Sequence, residues 1–212
     1  MDGLGGFRVV SLDRRGHGES ARPFDAAAHT VDEHVADLIA LADLLELERF
    51  AFWGYSDGAR IGYALAAAHP RRVVGLVASG TVDPRGGMPD DELHEAAREV
   101  REHGVGAILG DEPAPACLLR QLIEETDPEI VARELESFAG WSPWPLFPRI
   151  EAPTLIVAGE LEDAGCAEAA ARIPDGRALI LPELGHLGAF VNSELVLPPV
   201  RSFVEEVLEL RR

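Results

Sequence analysis

The strongest constraint on the fold is an alternation. Short apolar runs are followed, again and again, by segments with helical periodicity. Phe7-Arg-Val-Val-Ser-Leu-Asp13 ends in a Gly-rich turn, Arg15-Gly-His-Gly18, and reads as a buried strand feeding a loop. Thr30-Val-Asp-Glu33 is a capping box, and Val31, Val35, Leu38, Ala42 and Leu45 then repeat at helical spacing, so a helix is expected over 31–46. Further strands are expected at 50–53, 73–79, 154–158 and 177–181, with helices over 59–68, 165–172 and 196–210. Strands that alternate with helices predict an α/β fold: a mostly parallel sheet of about five strands flanked by helices, joined by right-handed crossovers.

The alternation is interrupted between 83 and 149. Helical segments fall near 90–103, 115–125 and 128–139, ahead of a proline-rich tail, Trp141-Ser-Pro-Trp-Pro-Leu-Phe-Pro148. This stretch is too long for a simple connection and too periodic for disorder. It reads as a helical cap, 83–149, inserted into one core made of 1–82 and 150–212. The 47% of apolar residues suffices for that core.

Charge narrows the functional classes. Against 37 acidic residues stand 19 basic ones, a net charge of −18. That disfavours nucleic acid and membrane surfaces as partners, because phosphate binding needs clustered cations. Every basic residue is Arg, so no lysine is available as a Schiff base or general base. No apolar run approaches the ~18–20 residues needed to span a bilayer. The first residues lack a basic flank and a long apolar stretch, so a cytoplasmic protein is expected. Cys117 and Cys166 fit no metal or redox spacing, and no metal site is expected.

Gly54-Tyr55-Ser56-Asp57-Gly58 lies between an expected strand and an expected helix, the context that gives G-x-S-x-G a mechanism. The turn is tight, so Gly at both ends lets strand and helix approach. The serine stands at the strand's carboxyl end, and the helix N-terminus favours the negative charge of acyl transfer. A serine needs a base. Of the seven histidines, His29, His34, His94 and His103 fall on helices or caps and read as solvated. His69 precedes Pro70 and reads as surface, and His17 sits in the Gly-rich turn. His186 differs: Pro182-Glu-Leu-Gly-His186 follows the last strand and reaches the sheet edge that also carries Ser56. The carboxylate that orients the base should end another strand, either in Glu160-Leu-Glu162-Asp163 or at Asp83. Tyr55, beside the serine, and Trp141, Trp144 and Phe147 in the cap's exit segment are candidate substrate-binding residues.

These residues together resemble the α/β-hydrolase fold, in its large group of capped, esterase-like serine hydrolases. Leu12-Asp-Arg-Arg-Gly-His-Gly-Glu-Ser20 resembles the family's loop after its fourth strand, Phe52-Trp-Gly-Tyr-Ser-Asp-Gly58 its nucleophile elbow, and Leu184-Gly-His186 its histidine loop. The resemblance implies Ser56 as nucleophile, His186 as base and the N–H of Asp57 as an oxyanion-hole donor. It implies Asp163 as the preferred acid, with Glu162 next and Asp83 third. No cofactor is implied. The expected activity is hydrolysis of a small carboxylic ester, lactone or similar acyl compound.

The chain departs from the family at its start. Family members carry two or three strands and a helix before the strand expected at 7–13, and one of those strands leads into the second oxyanion donor. That donor has no counterpart among the six residues before Phe7. Losing one such donor costs about 10²–10³ in turnover. The chain therefore reads as a fragment of a longer hydrolase, or as a short form whose sheet is completed by a partner or a second copy. The corresponding alternative function is a catalytically impaired binding module, and a homodimer through an uncovered sheet face is expected.

Overall fold

A computed structural model describes residues 2–80, 88–109, 115–162 and 165–209. Four strands, β1 (Phe50–Tyr55), β2 (Val73–Ser79), β3 (Thr154–Gly159) and β4 (Gly176–Leu181), pair in sequence order, all parallel. β2 and β3 are buried along their whole length, as central strands of a two-sided sheet must be.

Helices cover both faces. On one lie α1 (Val31–Leu44), α2 (Asp57–Ala68) and α6 (Cys166–Arg172). Thr30 caps α1 by accepting from the Glu33 N–H, as its capping box predicts. α2 is rich in Ala, and its Gly62 lies so close to Leu76 and Phe52 that an added Cβ would be 2.8 Å from the Leu76 side chain. The opposite face is covered by α7 (His186–Val191) and α8 (Ser193–Glu209), which bury Ala189, Val196, Val200, Phe203 and Val207 against Val77, Leu155, Val157 and Leu181. The first residues lie along α8: Arg201 donates to the Gly3 and Gly5 carbonyls, and its guanidinium stands 5.3 Å from the Phe7 ring. No described helix is long and apolar enough to cross a membrane.

The segment between β2 and β3 carries α3 (Asp90–His103), α4 (Ala116–Glu124) and α5 (Pro128–Ser137). α3 and α5 pack through Ala97, Val100 and Ala132, and Arg101 pairs with Glu129 and Glu136 across their outer side. α5 also sits on the leading loop of the core. An added Cβ at Gly16 would be 2.5 Å from Ile130, Arg133 donates to the Phe24 carbonyl, and Ser137 donates to that of His29.

Two expectations are corrected. Residues 7–13 do not form the expected strand, and the sheet has four described strands rather than about five. A strand is held by hydrogen bonds to a neighbour, and among the described residues nothing pairs with the outer edge of β1. The apolar residues of that run, Val9, Val10 and Leu12, stay 43%, 41% and 39% exposed. The second correction concerns His29 and His34, which are buried, because α5 and the leading loop close over them. His94 and His103 are exposed, as expected.

Candidate active site

The turn between β1 and α2 is strained at Ser56. β1 ends at Tyr55, α2 begins at Asp57, and Ser56 between them has φ 54° and ψ −115°. A non-glycine residue at positive φ is costly and is held only by its surroundings. Here the Ser56 N–H donates to the Ser79 carbonyl at 2.8 Å, and the Ser56 carbonyl accepts from Ala59 and Arg60. A Cβ at Gly54 would fall 2.1 Å from the Gly58 carbonyl oxygen, so that glycine is obligatory. A Cβ at Gly58 would meet nothing within 4 Å, so close approach does not explain the second glycine. Asp57 opens α2, and the N–H groups of a helix's first turn have no intrahelical acceptor. An oxyanion formed at Ser56 could use them.

His186 is the first residue of α7, beyond β4, at the carboxyl edge that also carries Ser56. Tyr55 joins the two: its hydroxyl donates to the His186 carbonyl, its ring lies 5.2 Å from the imidazole, and Phe190 packs 4.7 Å away on its edge. The residue expected to bind substrate thus supports the histidine loop. Its neighbours Trp53, Ser79, Phe190 and Leu197 line an apolar cavity of about 280 Å³ beside α8.

The loops after β3 and β4 are stitched together. Leu161 N–H donates to the Leu184 carbonyl at 3.0 Å, and Glu183 N–H donates to Glu160 Oε2 at 2.9 Å. A Cβ at Gly159 would collide with the Leu184 oxygen at 2.2 Å. Glu162 closes the short 3-10 turn that follows β3 and so lies on the loop joined to the histidine loop. Asp163 and Asp83 lie outside the described residues.

The aromatic residues just before β3 divide. Phe147 is fully buried and packs edge-on against Tyr63 and Trp144, at 4.9 and 5.6 Å. Trp144 stacks under Arg172, the last residue of α6, four residues before β4 starts at the amino edge of the sheet. Both fasten the exit segment to the core, Phe147 against α2 through Tyr63 and Trp144 against α6 through Arg172. Trp141 differs: its ring stands 5.8 Å from the Arg60 guanidinium, which lies 4.1 Å over Phe138.

Arg60 was missed by sequence reasoning, although a residue four places after Ser56 falls on the same face of α2. Among the described residues no carboxylate comes within ion-pairing distance of it. Burial lowers its pKa, with the charge of Asp57 opposing. Glu134 was also missed, since nothing in the pattern of α5 marks it. It is 3% exposed and faces the leading loop, α1 and α2. Arg14 Nη2 donates to Oε2 at 3.3 Å, and Nη1 stands 3.2 Å from Oε1, off the hydrogen-bond line. His17 Nε2 and His34 Nε2 are each 3.6 Å from a carboxylate oxygen, and Arg14 Nη2 also lies 3.9 Å from Asp57. Burial pushes the Glu134 carboxyl up to about 7, against the pull of Arg14. Burial pushes His34 down to about 4, helped by Arg14 and Arg15, and lowers His17 in the same way. No group of three or more His, Cys, Asp or Glu among the described residues could hold a metal ion.

The model of the alpha/beta hydrolase fold family matches residues 1–107. Over 205 residues the chain is 27% identical to a Bacillus subtilis (strain 168) protein named "Putative 2-succinyl-6-hydroxy-2,4-cyclohexadiene-1-carboxylate synthase", covering 84% of this chain and 74% of that one. It is 38% identical over 80 residues to the non-heme chloroperoxidase of Streptomyces lividans, covering 37% of this chain and 28% of that protein. The crystal structure of the enol-lactonase from Burkholderia xenovorans LB400 superposes with a TM-score of 0.78 at 26% identity, covering 91% of this chain and 79% of that one.

Proposed function

The chain belongs to the alpha/beta hydrolase fold family, and on that premise we propose that it is a serine hydrolase acting on a small carboxylic ester, lactone or similar acyl substrate. The observation that carries this reading is Ser56 at φ 54°, on a strand-to-helix turn beside the loop of His186. In this scheme Ser56 Oγ attacks the acyl carbon while His186 takes its proton. Asp163 or Glu162 orients the imidazole, and the Asp57 N–H receives the oxyanion. His186 then protonates the leaving oxygen. Water, deprotonated by the same imidazole, releases the acid and restores Ser56.

Arg60 narrows the substrate. A half-buried guanidinium that no carboxylate pairs with among the described residues, backed by Phe138 and Trp141, suits an acyl compound that also carries a carboxylate. The Bacillus relative is named for a carboxylate, in keeping with this.

A second reading, a binding module with impaired catalysis, is favoured by one observation. The outer edge of β1, where a second oxyanion donor would stand in the family, has no paired strand among the described residues. A fluorophosphonate probe with mass-spectrometric mapping separates the two. Labelling at Ser56 that disappears in Ser56→Ala supports the hydrolase. A folded sample in which Ser56 stays unlabelled and no activated ester is turned over rejects it.

A further inference from the structure

A buried ion pair is poor evidence of stability, since apolar replacements often serve as well. The pair between Arg14 and Glu134 therefore calls for another account, and its geometry offers one. Glu134 comes from the cap helix α5, Arg14 from the leading loop, and the same guanidinium reaches Asp57, the residue after Ser56. One cation thus stands between a carboxylate of the cap and a carboxylate of the elbow.

We propose that Glu134 and Arg14 are positioning residues: the cap carboxylate holds the guanidinium, and the guanidinium holds Asp57 and with it the first turn of α2 beneath Ser56. The surroundings fix this role. Glu134 is enclosed, so its charge has no water to turn to, and its Oε1 lacks an aligned hydrogen-bond donor. Among the described residues, Arg14 is the one permanent cation within ion-pairing distance of it. The charged and titratable groups facing Glu134 among the described residues are Arg14 and His17 from the leading loop, His34 from α1 and Asp57 from α2, and His29 from the turn before α1 acts on His17 and His34. His17 and His34 are both held toward the neutral form, so neither substitutes for Arg14. With Glu134 ionised, Arg14 is gripped from the cap side and docked near Asp57. With Glu134 neutral, the cap loses its hold and the guanidinium is free to move outward. The link does not depend on the chemistry at Ser56, but its bearing on turnover rests on the hydrolase reading above.

The experiment is hydrogen–deuterium exchange on the full chain. The expected result is that Glu134→Gln quickens exchange of the amides at 57–61 at least tenfold while those of β3 do not change. Arg14→Lys, which keeps the charge and loses the fork, should give a smaller change in the same amides. The unaltered protein supplies a test that needs no variant. Exchange at 57–61, corrected for its intrinsic pH dependence, should slow from pH 6 to pH 8, and that trend should vanish in Glu134→Gln. Unchanged exchange at 57–61 in both variants, or a flat pH trend in the unaltered chain, overturns the proposal. The rate of fluorophosphonate labelling at Ser56 is read in the same samples and should fall about tenfold in Glu134→Gln. If Ser56 never labels even in the unaltered chain, the hydrolase reading fails, and the exchange data still decide whether the link exists.

Discussion

A single dihedral angle sets the terms of the chemistry at the residue scale. Ser56 keeps its positive φ only because β1, β2 and α2 converge on it, and Gly54 is where they converge most tightly. Gly54→Ala places a methyl 2.1 Å from a backbone oxygen that cannot step aside. It should destabilise the fold by at least about 2–3 kcal/mol, read as a lowered urea midpoint. Gly58→Ala, by contrast, meets open space and should leave the midpoint nearly unchanged. Arg60→Met tests specificity. Losing a charge-assisted contact worth about 1.5–3 kcal/mol should raise KM roughly 10–100-fold for an ester that carries a carboxylate. A neutral ester of similar size should be hardly affected, and equal losses for both would remove Arg60 from substrate recognition.

Elements differ in how much of them the sequence discloses. β2 was legible to the residue because an unbroken apolar run between turns is what a strand buried on both faces requires. The run at 7–13 looks the same and is not a strand. Apolar residues signal burial, but a strand also needs a neighbour, and the sequence does not say whether one stands there. The candidate site follows the same rule. Ser56 and His186 stand on local signals, a motif and a loop after a strand. The burial of His34 and the enclosure of Glu134 depend on α5 lying across the leading loop, a long-range fact.

Those two buried groups oppose each other in pH. The folded state holds Glu134 protonated up to about 7 instead of 4.5, so this group's contribution is full below 4.5 and is lost as pH rises toward 7. It holds His34 neutral down to about 4 instead of 6.5, so that contribution is present above 6.5 and is lost as pH falls toward 4. Near pH 5.5, unfolding releases one proton and takes up the other, and the two nearly cancel. Glu134→Gln removes one side of the balance. Its stability should fall with acidification between 6.5 and 4.5 by about 1.4 kcal/mol per pH unit more than that of the unaltered chain. Parallel stability–pH curves from denaturant titrations would contradict this assignment of the two shifts.

For the whole molecule the opposing quantities are charge and open apolar surface. The chain carries −18, yet Trp53 on β1 is 37% exposed, the leading run leaves Val9, Val10 and Leu12 uncovered, and among the described residues no strand pairs with the outer edge of β1. An apolar surface is worth about 25 cal/mol per Å² when covered, whereas repulsion between charged copies weakens with salt. Self-association is therefore the expected outcome as ionic strength rises, measured by light scattering from low to high salt. A monodisperse monomer at every salt concentration would show that the exposed run and the β1 edge attract nothing.

The join between the loops after β3 and β4 bears on how the protein fails when heated. Leu184 accepts from Leu161 and abuts Gly159, while Glu183 is held by Glu160. Loops so bonded cannot detach in turn, because loosening either removes the partner of the other. Heat inactivation should then follow a single exponential, with no long-lived species in which one of the two loops is in place and the other displaced. Amide exchange at 159–162 and at 183–186 should rise together along the same time course, whatever the helices between β2 and β3 do.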